Sequence, residues 1–455
     1  MGIVIPVPRL ARARRASIRS AALALAIAGA MAGVSPTTAG QAVDAPVPQP
    51  GQVKERFLIS HFPDKPSLPP SATISIDSLG FSAPGAIYLG ARNSLVSLDF
   101  LDENRLLFTF RVPGLLHRDT AKGAESDERE IRAVVLTVPK GTIEAQTSWT
   151  LHDRVRYLWM LSDGHFLLRD RNNLLEGDAT LALKPYLDFP GSLLWLEFNP
   201  SQQLLVTNSR EPVAAPAKTS ESSGAGTGAG SGASDQDSAA PDGDSPDLVV
   251  RILQRKTGQV LLVSRVDAAI HLPINSEGYL ENLRSSGSRW NLNMNYFTGE
   301  KRIFGSVDSE CEPDDTFLSD KVILVVGCAA EGESKLTAMT TAGRTLWIAG
   351  APATEVWPQL TVAANGSRVA WATLDANHSV NSYAPLDGDD IKEQSVTVFN
   401  SANGDIALVS PLSPILDAGG NVAISPSGRR VALLNDGAIQ VFDLPEPPAF
   451  PSTKP

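Results

Sequence analysis

A short sequence pattern recurs along the chain: an apolar strand, a polar turn and a second apolar strand. The clearest copy is "NVAISPSGRRVALLNDGAIQVFDL" at residues 421–444. The other copies are "VSLDFLDENRLLFTF", "YLWMLSDGHFLLRD", "LLWLEFNPSQQLLVTNS", "HLPINSEGYLENLRS", "DTFLSDKVILVVGC" and "LTVAANGSRVAWATL". Because one such unit cannot bury its apolar face alone, its neighbours must pack against it. The sequence therefore predicts an architecture of repeated β-hairpins.

Most copies are followed by a second hairpin with glycine in its turn, such as "RAVVLTVPKGTIEAQTSW" and "SVTVFNSANGDIALVSPL". Four short strands in each unit of about 40 residues are typical of a propeller blade. The phrase "SPSGRRVALLNDGAIQVFDL" resembles the repeats of WD40-like, YVTN-like and TolB-like propellers, and the resemblance covers roughly residues 96–444. It implies a fold and leaves the activity open. We expect an all-β protein, a β-propeller of seven blades with four antiparallel strands each.

The last unit supplies only three strands before the chain turns into "PEPPAFPSTKP". A strand near the start, "ATISIDSLG" at residues 72–80, has no blade of its own. We predict that this N-terminal strand completes the last blade and closes the ring, since closure protects exposed strand edges. The alternative is an open sandwich with a loose N-terminal strand.

The first 39 residues have the three-part pattern of an export signal: five arginines, the apolar run "AALALAIAGAM" and then small residues. The apolar run is shorter than the roughly 20 residues that span a bilayer, and no membrane-spanning segment is expected after signal removal. We predict a signal peptide at 1–39, a proline-rich extended linker at 40–70, one propeller domain at 71–445 and a proline-rich tail at 446–455. The predicted location is secreted or periplasmic.

The two cysteines of the chain, Cys311 and Cys328, lie at either end of one hairpin-like stretch. If Ser319 and Asp320 form its turn, the cysteines stand opposite each other in a non-hydrogen-bonded pair with Cα atoms about 4.5 Å apart. That separation is near the lower end of the range a disulfide spans, and an exported protein would retain the bond. Pro313 could shift this register because it lacks a ladder donor. We predict a structural disulfide; free thiols and thiol chemistry are the alternatives.

Acidic residues outnumber basic ones, 50 Asp and Glu against 39 Lys and Arg, for a formal net charge of −11. Loss of the five leader arginines would leave a mature chain of about −16. Such a chain should repel polyphosphate, so nucleic-acid binding is not expected.

Long insertions fall between the second and third strands of three blades, at residues 118–130, 210–247 and 374–394. Propeller geometry should bring all three to one face, and each has more acidic than basic residues. The insertion at 210–247 is nearly all Gly, Ser, Ala and Asp, and we expect it to be disordered. The predicted acidic binding face consists of Asp127, Glu128, Asp375, Asp387, Asp389 and Asp390. Carboxylate oxygens of this kind could also hold Ca²⁺, although no twelve-residue calcium loop is present; no other metal and no cofactor is expected.

No catalytic motif identifies an activity: the sequence contains no G-x-S-x-G, G-x-G-x-x-G or P-loop pattern, and its six histidines lack metal-ligand spacing. We read the histidines as surface or packed residues. The favoured hypothesis is an exported, monomeric, non-catalytic binding or scaffold propeller whose acidic face binds a protein, peptide or cell-wall ligand. The alternative is a propeller enzyme, of hydrolase, lyase or quinoprotein type, with its site at the central axis.

Overall fold

Short strands joined by tight turns dominate the part of the chain that the computed structural model describes. The described residues are 54–57, 63–85, 89, 93–113, 117–118, 127–152, 155–211, 247–267, 270–329, 333–378 and 387–450. All of them belong to one compact unit, Pro50–Pro455. Two 3-10 turns, Asp77–Leu79 and Gly388–Asp390, interrupt the strands. The predicted signal peptide and most of the 210–247 insertion lie outside the described residues.

The strands group into seven sheets that follow one another along the chain. Two strands precede the repeats: β1 (Lys54–Phe57) and β2 (Ala72–Ser75). Blade 1 contains β3 (Val96–Asp102), β4 (Arg105–Arg111), β5 (His117–Arg118), β6 (Asp127–Thr137) and β7 (Ile143–Leu151). Blade 2 contains β8 (Leu158–Met160), β9 (Phe166–Asp170), β10 (Asn173–Gly177) and β11 (Lys184–Asp188). Blade 3 contains β12 (Ser192–Phe198), β13 (Leu204–Glu211), β14 (Asp247–Gln254) and β15 (Val260–Val266).

The remaining four sheets repeat this order. Blade 4 contains β16 (Gly278–Ser286), β17 (Arg289–Tyr296) and β18 (Lys301–Asp308). Blade 5 contains β19 (Asp314–Ser319), β20 (Val322–Cys328), β21 (Ser334–Thr340) and β22 (Thr345–Ala351). Blade 6 contains β23 (Glu355–Val362), β24 (Arg368–Ala376), β25 (Ile391–Asn400) and β26 (Ile406–Pro411). Blade 7 contains β27 (Val422–Ile424), β28 (Arg430–Asn435) and β29 (Ala438–Asp443).

Seven apolar clusters join these sheets into a ring, one cluster in each seam between neighbouring blades. Alternate residues of each strand face opposite sides of the sheet, so each blade contributes to two clusters. Six of the clusters join consecutive blades along the chain. The seventh joins blade 7, through Ile439 and Val441, to blade 1, through Leu98 and Phe108. The molecule is therefore a seven-bladed β-propeller, as the sequence predicted.

The N-terminal strand closes the ring. β2 pairs antiparallel with β29, the last strand of blade 7, with Ala72 opposite Val441 and Ser75 opposite Ala438. Ile74 of this strand is buried in the seam between blades 7 and 1. The closure predicted from the unpaired sequence strand is confirmed.

Part of the predicted linker also contacts the blades. β1 pairs in parallel with β22 and so extends the outer edge of blade 5. The backbone N–H of Ser67 donates to the Val409 carbonyl of β26, at the edge of blade 6, with a 2.8 Å separation. The N-terminal segment thus covers outer edges of three consecutive blades, which limits edge-to-edge aggregation there.

Blade 4 departs from the four-strand pattern. Its three strands are preceded by a segment that forms one isolated bridge, Ile274 to Tyr279, in place of a full first strand. Asn293 and Asn295 of β17 are buried. They stand opposite Glu281 and Tyr279 of β16. These asparagines share a side of blade 4 with Tyr279, which packs in the seam between blades 3 and 4.

The hairpin that holds the cysteines has a different register from the expected one. Its turn is formed by Asp320 and Lys321, rather than by Ser319 and Asp320. The ladder begins only at Asp314, directly after Pro313, which has no N–H to donate. The predicted directly opposed pairing of the cysteines is therefore wrong.

The cysteines are nevertheless bridged. Their sulfur atoms lie 2.06 Å apart and their Cα atoms 5.5 Å apart, which exceeds the expected separation because Cys311 lies outside the ladder. The hydroxyl of Ser309 donates to the Cys311 carbonyl and accepts from the N–H of Cys328. The bridge thereby fixes the chain where blade 4 passes into blade 5.

The two faces of the ring differ. Because every blade repeats the same strand order, the first strands run in one direction, and the connections between second and third strands share one face. That face, here named the loop face, carries the connections β4–β6, β13–β14 and β24–β25. The opposite face, named the turn face, carries the tight turns between first and second strands. Among the described residues no helix has the length and apolar character needed to cross a membrane.

Candidate functional site

The acidic residues predicted for the binding face divide between two blades. Glu128 lies on β6 of blade 1, where its carboxylate is 3.3 Å from His152 Nε2. Asp127 begins the same strand and pairs with Arg118 through the backbone, while its side chain lies outside the described residues. Blade 7 lies between this pair and the remaining four aspartates, so the six residues do not form one cluster.

The other four aspartates lie at the loop-face end of blade 6. Asp375 is near the end of β24 and its Oδ2 is 3.6 Å from Lys392 Nζ. Asp389 and Asp390 belong to the short 3-10 turn that follows Asp387. The Asp390 carboxylate is 3.8 Å from the ring of His378. These side chains form an acidic edge, in which Lys392 pairs with Asp375 and His378 lies near Asp390.

A second set of charged groups, which we name the axial cluster, lies on the first strands of blades 1, 3 and 5 and on the segments that precede β8 of blade 2 and β16 of blade 4. Its members are Asp99, Arg156, Glu197, His271, Asp314 and Asp315. First strands are the innermost strands of the ring, since β3 touches β27 of blade 7 and β8 of blade 2. The cluster therefore surrounds the central axis.

An ion chain crosses three blades within this cluster. His271 Nε2 lies 2.6 Å from Glu197 Oε2 of blade 3, and His271 Nδ1 lies 2.9 Å from Asp314 Oδ1 of blade 5. The imidazole also packs edge-to-face against Trp195, with ring centroids 5.1 Å apart. Burial alone would lower the pKa of His271, but the two carboxylates raise it to about 10. His271 is therefore cationic at neutral pH.

Arg156, in the segment before β8, adds a second positive charge to the cluster. Its charge interacts with both Asp99 and Glu197, and its guanidinium lies 5.4 Å from the centre of the Trp159 ring. Burial lowers the pKa of Arg156, which nevertheless keeps solvent-accessible surface. A side chain surrounded by protein and still in contact with solvent is the arrangement expected along an axial channel.

Two carboxyl groups of the cluster have raised pKa values. Burial raises the pKa of Asp99 to about 6, although a 2.5 Å hydrogen bond from the Ser97 hydroxyl and the charge of Arg156 oppose it. Burial also raises the pKa of Asp315 to about 7, assisted by the negative charges of Asp314 and Glu197. Both groups can therefore exchange protons near neutral pH.

A separate groove of about 460 Å³ lies on the turn face, where blade 7 meets blade 1. Its charged lining is paired internally: Arg430 Nε donates to Asp443, and Arg430 Nη1 donates to the Glu103 carbonyl. The Glu103 carboxylate accepts from the N–H of Ser427 at 2.6 Å. These bonds strengthen ring closure between blades 7 and 1.

Within the described ranges, no three His, Cys, Asp or Glu side chains are arranged to hold a metal ion. The calcium prediction for Asp387, Asp389 and Asp390 stays a prediction.

Sequence reasoning missed the axial cluster. Glu197 lies between Leu196 and Phe198 and looks like an ordinary polar position of an amphipathic strand. His271 was read as a surface or packed residue, whereas it joins blades 3 and 5. The available signal was the presence of a charged residue in the first strand, or just before it, of five consecutive repeats.

Comparisons with known proteins assign no activity to this chain. No family model matches, and no curated protein matches. Among solved structures, an acylaminoacyl peptidase of Pyrococcus horikoshii matches with 10% identity and a TM-score of 0.42, covering 75% of this chain and 49% of that one. The β-propeller domain of the Trilobed protease from Pyrococcus furiosus matches with 10% identity and a TM-score of 0.41, covering 74% and 91%. An oligogalacturonate lyase in complex with manganese matches with 14% identity and a TM-score of 0.38, covering 77% and 97%. This chain thus spans about half the length of the peptidase.

Proposed function

We propose that this protein is an exported binding propeller, secreted or periplasmic, whose loop face recognises cationic groups on a protein, peptide or cell-wall polymer. The observation that carries the proposal is the axial cluster. Its carboxylates Asp99, Glu197 and Asp314 outnumber its cations. His271 holds Glu197 and Asp314 in place, and the charge of Arg156 acts on Asp99 and Glu197. Fixed carboxylates in contact with solvent are suited to bind an ammonium or guanidinium group.

Asp314 is the carboxylate that an arriving ligand reaches first. It begins β19, so it lies at the loop-face end of its strand, and its side chain is 52% exposed. The acidic edge of blade 6 shares this face, with Asp375 and the aspartates of the Gly388–Asp390 turn. Their summed negative potential would attract cationic ligands, and the axial carboxylates would then bind them.

Binding explains the state of His271 better than catalysis does. A histidine whose pKa is raised to about 10 keeps its proton at neutral pH and cannot serve as a general base there. Its role is to position Glu197 and Asp314. The cluster is therefore an electrostatic frame for a charged ligand.

The test is calorimetric titration of the mature protein with a lysine tripeptide and with its ε-acetylated counterpart. We expect binding of the first peptide only, and the Asp314→Asn variant should weaken it about fivefold, the loss of one partly screened ion pair. Asp443→Asn removes a carboxylate on the turn face and should leave binding unchanged. Equal affinity for the charged and acetylated peptides would contradict the proposal.

A second candidate function, an enzyme with its site at the axis, is favoured by Asp99 alone. This carboxyl is partly exposed and its pKa of about 6 suits a general acid or base. Hydrolysis or elimination of an oligosaccharide or peptide by the wild type, lost in Asp99→Asn with binding retained, would establish this alternative in place of the binding module.

A further inference from the structure

Asp315 lies in the seam between blades 4 and 5 and is 2% exposed. It shares one side of β19 with Phe317, which packs against Leu280 and Met294 of blade 4. Across the seam, Asn282 of β16 donates its amide N–H groups to Asp315 Oδ2 and, at 3.0 Å, to the Pro313 carbonyl. Because both amide hydrogens are used, the orientation of the Asn282 side chain is fixed.

Two side-chain oxygen atoms have no hydrogen-bond partner in this arrangement. Asp315 Oδ1 and Asn282 Oδ1 are both buried, and neither has a hydrogen-bond partner among the described residues. An ionised Asp315 offers only acceptors, so both atoms would stay unpaired at a cost. A single proton on Asp315 Oδ1 removes the conflict, since O–H can donate to the amide oxygen while the amide N–H donates to Oδ2. A carboxylic acid and a primary amide pair in this reciprocal way.

The charges around Asp315 come from three neighbouring elements. Asp314 precedes it on β19, His271 belongs to the segment that precedes β16, and Glu197 belongs to β12. The two carboxylates oppose ionisation of Asp315 and the imidazolium favours it. Burial is the largest influence and raises the pKa of Asp315 to about 7.

We propose that Asp315 of the axial cluster and Asn282 form a proton-dependent latch that holds blades 4 and 5 together. With Asp315 protonated, two reciprocal hydrogen bonds cross the seam. Release of the proton removes one of them and leaves a buried carboxylate facing an amide oxygen. The seam then loosens at the point where the ion chain of His271 and Asp314 also crosses it. The latch needs no ligand, so it stands independently of the proposed binding function.

The direction of the pH effect follows from the pKa of Asp315. Its native value is higher than the unfolded value of 3.8, so the native state binds the extra proton between about pH 4 and pH 7. The stabilising effect of the latch is complete at the acidic end of this range and is lost as the pH rises through about 7. For this one group, the unfolding equilibrium constant should rise about tenfold per pH unit.

The deciding experiment compares denaturant unfolding of the wild type and Asp315→Asn from about pH 5 to about pH 8. An asparagine at this position can form an amide–amide pair with Asn282 at every pH. We expect the ratio of the two unfolding constants to change by more than about tenfold across this range. Asp314→Asn is the neighbouring control, because it removes one negative charge beside Asp315. Its stability should still depend on pH as that of the wild type does, but the midpoint of that dependence should lie at a lower pH. Parallel pH profiles for wild type and Asp315→Asn would overturn the proposal.

A direct measurement keeps the test valid if Asp315→Asn does not fold. The protein is labelled with ¹³C-aspartate and its carboxyl signals are followed by NMR as the pH is changed. It carries Asp99→Asn, which removes the other aspartate of the cluster whose pKa is raised, to about 6. The carboxyl of Asp315 is then expected to titrate near neutral pH. Carboxyl signals that all titrate within about one unit of the ordinary aspartate value would contradict the latch. A signal with a midpoint near 7 would support it.

Discussion

Glu355 and Asp375 stand directly opposite each other on β23 and β24, and Glu393 of β25 stands opposite Asp375 in turn. Like charges at directly opposed positions are destabilising in an antiparallel pair. Glu355 is 6% exposed, and burial raises its pKa to about 7, with a hydrogen bond from Thr373 lowering it and the charge of Asp375 raising it. The loop-face end of blade 6 therefore concentrates negative charge at the expense of stability.

Glu355→Gln should stabilise the protein at about pH 8, by about 1–3 kcal/mol, because it removes a buried charge. Because the native pKa of about 7 exceeds the unfolded value of 4.5, the penalty for Glu355 grows as the pH rises from about 4.5 to about 7 and is constant above that. The gain from Glu355→Gln should therefore be much smaller at about pH 5 than at about pH 8. Urea unfolding of the wild type and the variant at both pH values measures this difference in the free energy of unfolding. Glu393→Gln, at the exposed end of the same row, should change stability by less than about 0.5 kcal/mol; an equal gain from both variants would contradict the argument from burial.

Reduction of the Cys311–Cys328 bond should lower the free energy of unfolding by about 2–4 kcal/mol, the range expected for a closed loop with a sequence separation of 17. Unfolding with and without reductant gives the value. The double variant Cys311→Ser, Cys328→Ser should match the reduced protein and be indifferent to reductant. A stability unaffected by reduction would show that the bridge is not formed in solution.

How much of this molecule could be predicted from sequence depends on the range of the interactions involved. Blade strands and turns follow from local alternation and turn glycines, and the ring closure by residues 72–75 followed from a simple count of unpaired strands. The hairpin register did not follow, because it depends on where Pro313 allows the ladder to begin and on an irregularity between Phe317 and Ser319.

The axial cluster could not be predicted from local sequence patterns, for a different reason. Glu197, His271 and Asp314 are far apart in sequence and meet only because three blades converge at the axis. Alternation tells which residues share a side of a strand, but not which side chains extend past the strand into the channel. The acidic residues of the long connections were visible in sequence, and the structure places those on the described part of blade 6 at one end of that blade.

Gly366→Ala should destabilise the protein by more than about 2 kcal/mol. Gly366 has φ +70° in the turn between β23 and β24, and an added Cβ would lie 1.8 Å from the Leu318 carbonyl oxygen of blade 5. Gly437→Ala is the matched control, since its φ is +73° and its Cβ would meet nothing within 4 Å. The control variant should lose only about 1 kcal/mol of stability, from backbone strain. Similar losses for the two variants in thermal unfolding would show that the seam between blades 5 and 6 accommodates the methyl group.

Arg368→Met should cost about 2–4 kcal/mol, because it leaves buried acceptors unpaired. Arg368 is 1% exposed, and its guanidinium donates at 2.6 Å to the carbonyls of both Gly428 and Pro445 and at 3.0 Å to Asn400 Oδ1. It thereby ties blade 6 to blade 7 and to the C-terminal segment. Arg429→Met, which removes an exposed ion pair, should cost less than about 1 kcal/mol. Chemical denaturation gives the free energy of unfolding of both variants. Equal losses would show that the buried guanidinium stabilises the protein no more than the exposed one.

His271→Gln tests whether the axial ion chain stabilises the ring. Because the pKa of His271 is raised above its ordinary 6.5, the imidazolium contributes fully below about pH 6.5, and its contribution is lost as the pH rises through about 10. The side chain is 34% exposed, so solvent screening reduces the effect, and we expect the variant to lose about 1–2 kcal/mol at about pH 6 and progressively less towards about pH 10. His378→Gln, whose ring is 58% exposed and 3.8 Å from Asp390, should show little change at either pH. A loss for His271→Gln that is constant with pH would mean that the histidine acts by packing against Trp195 and not through its charge.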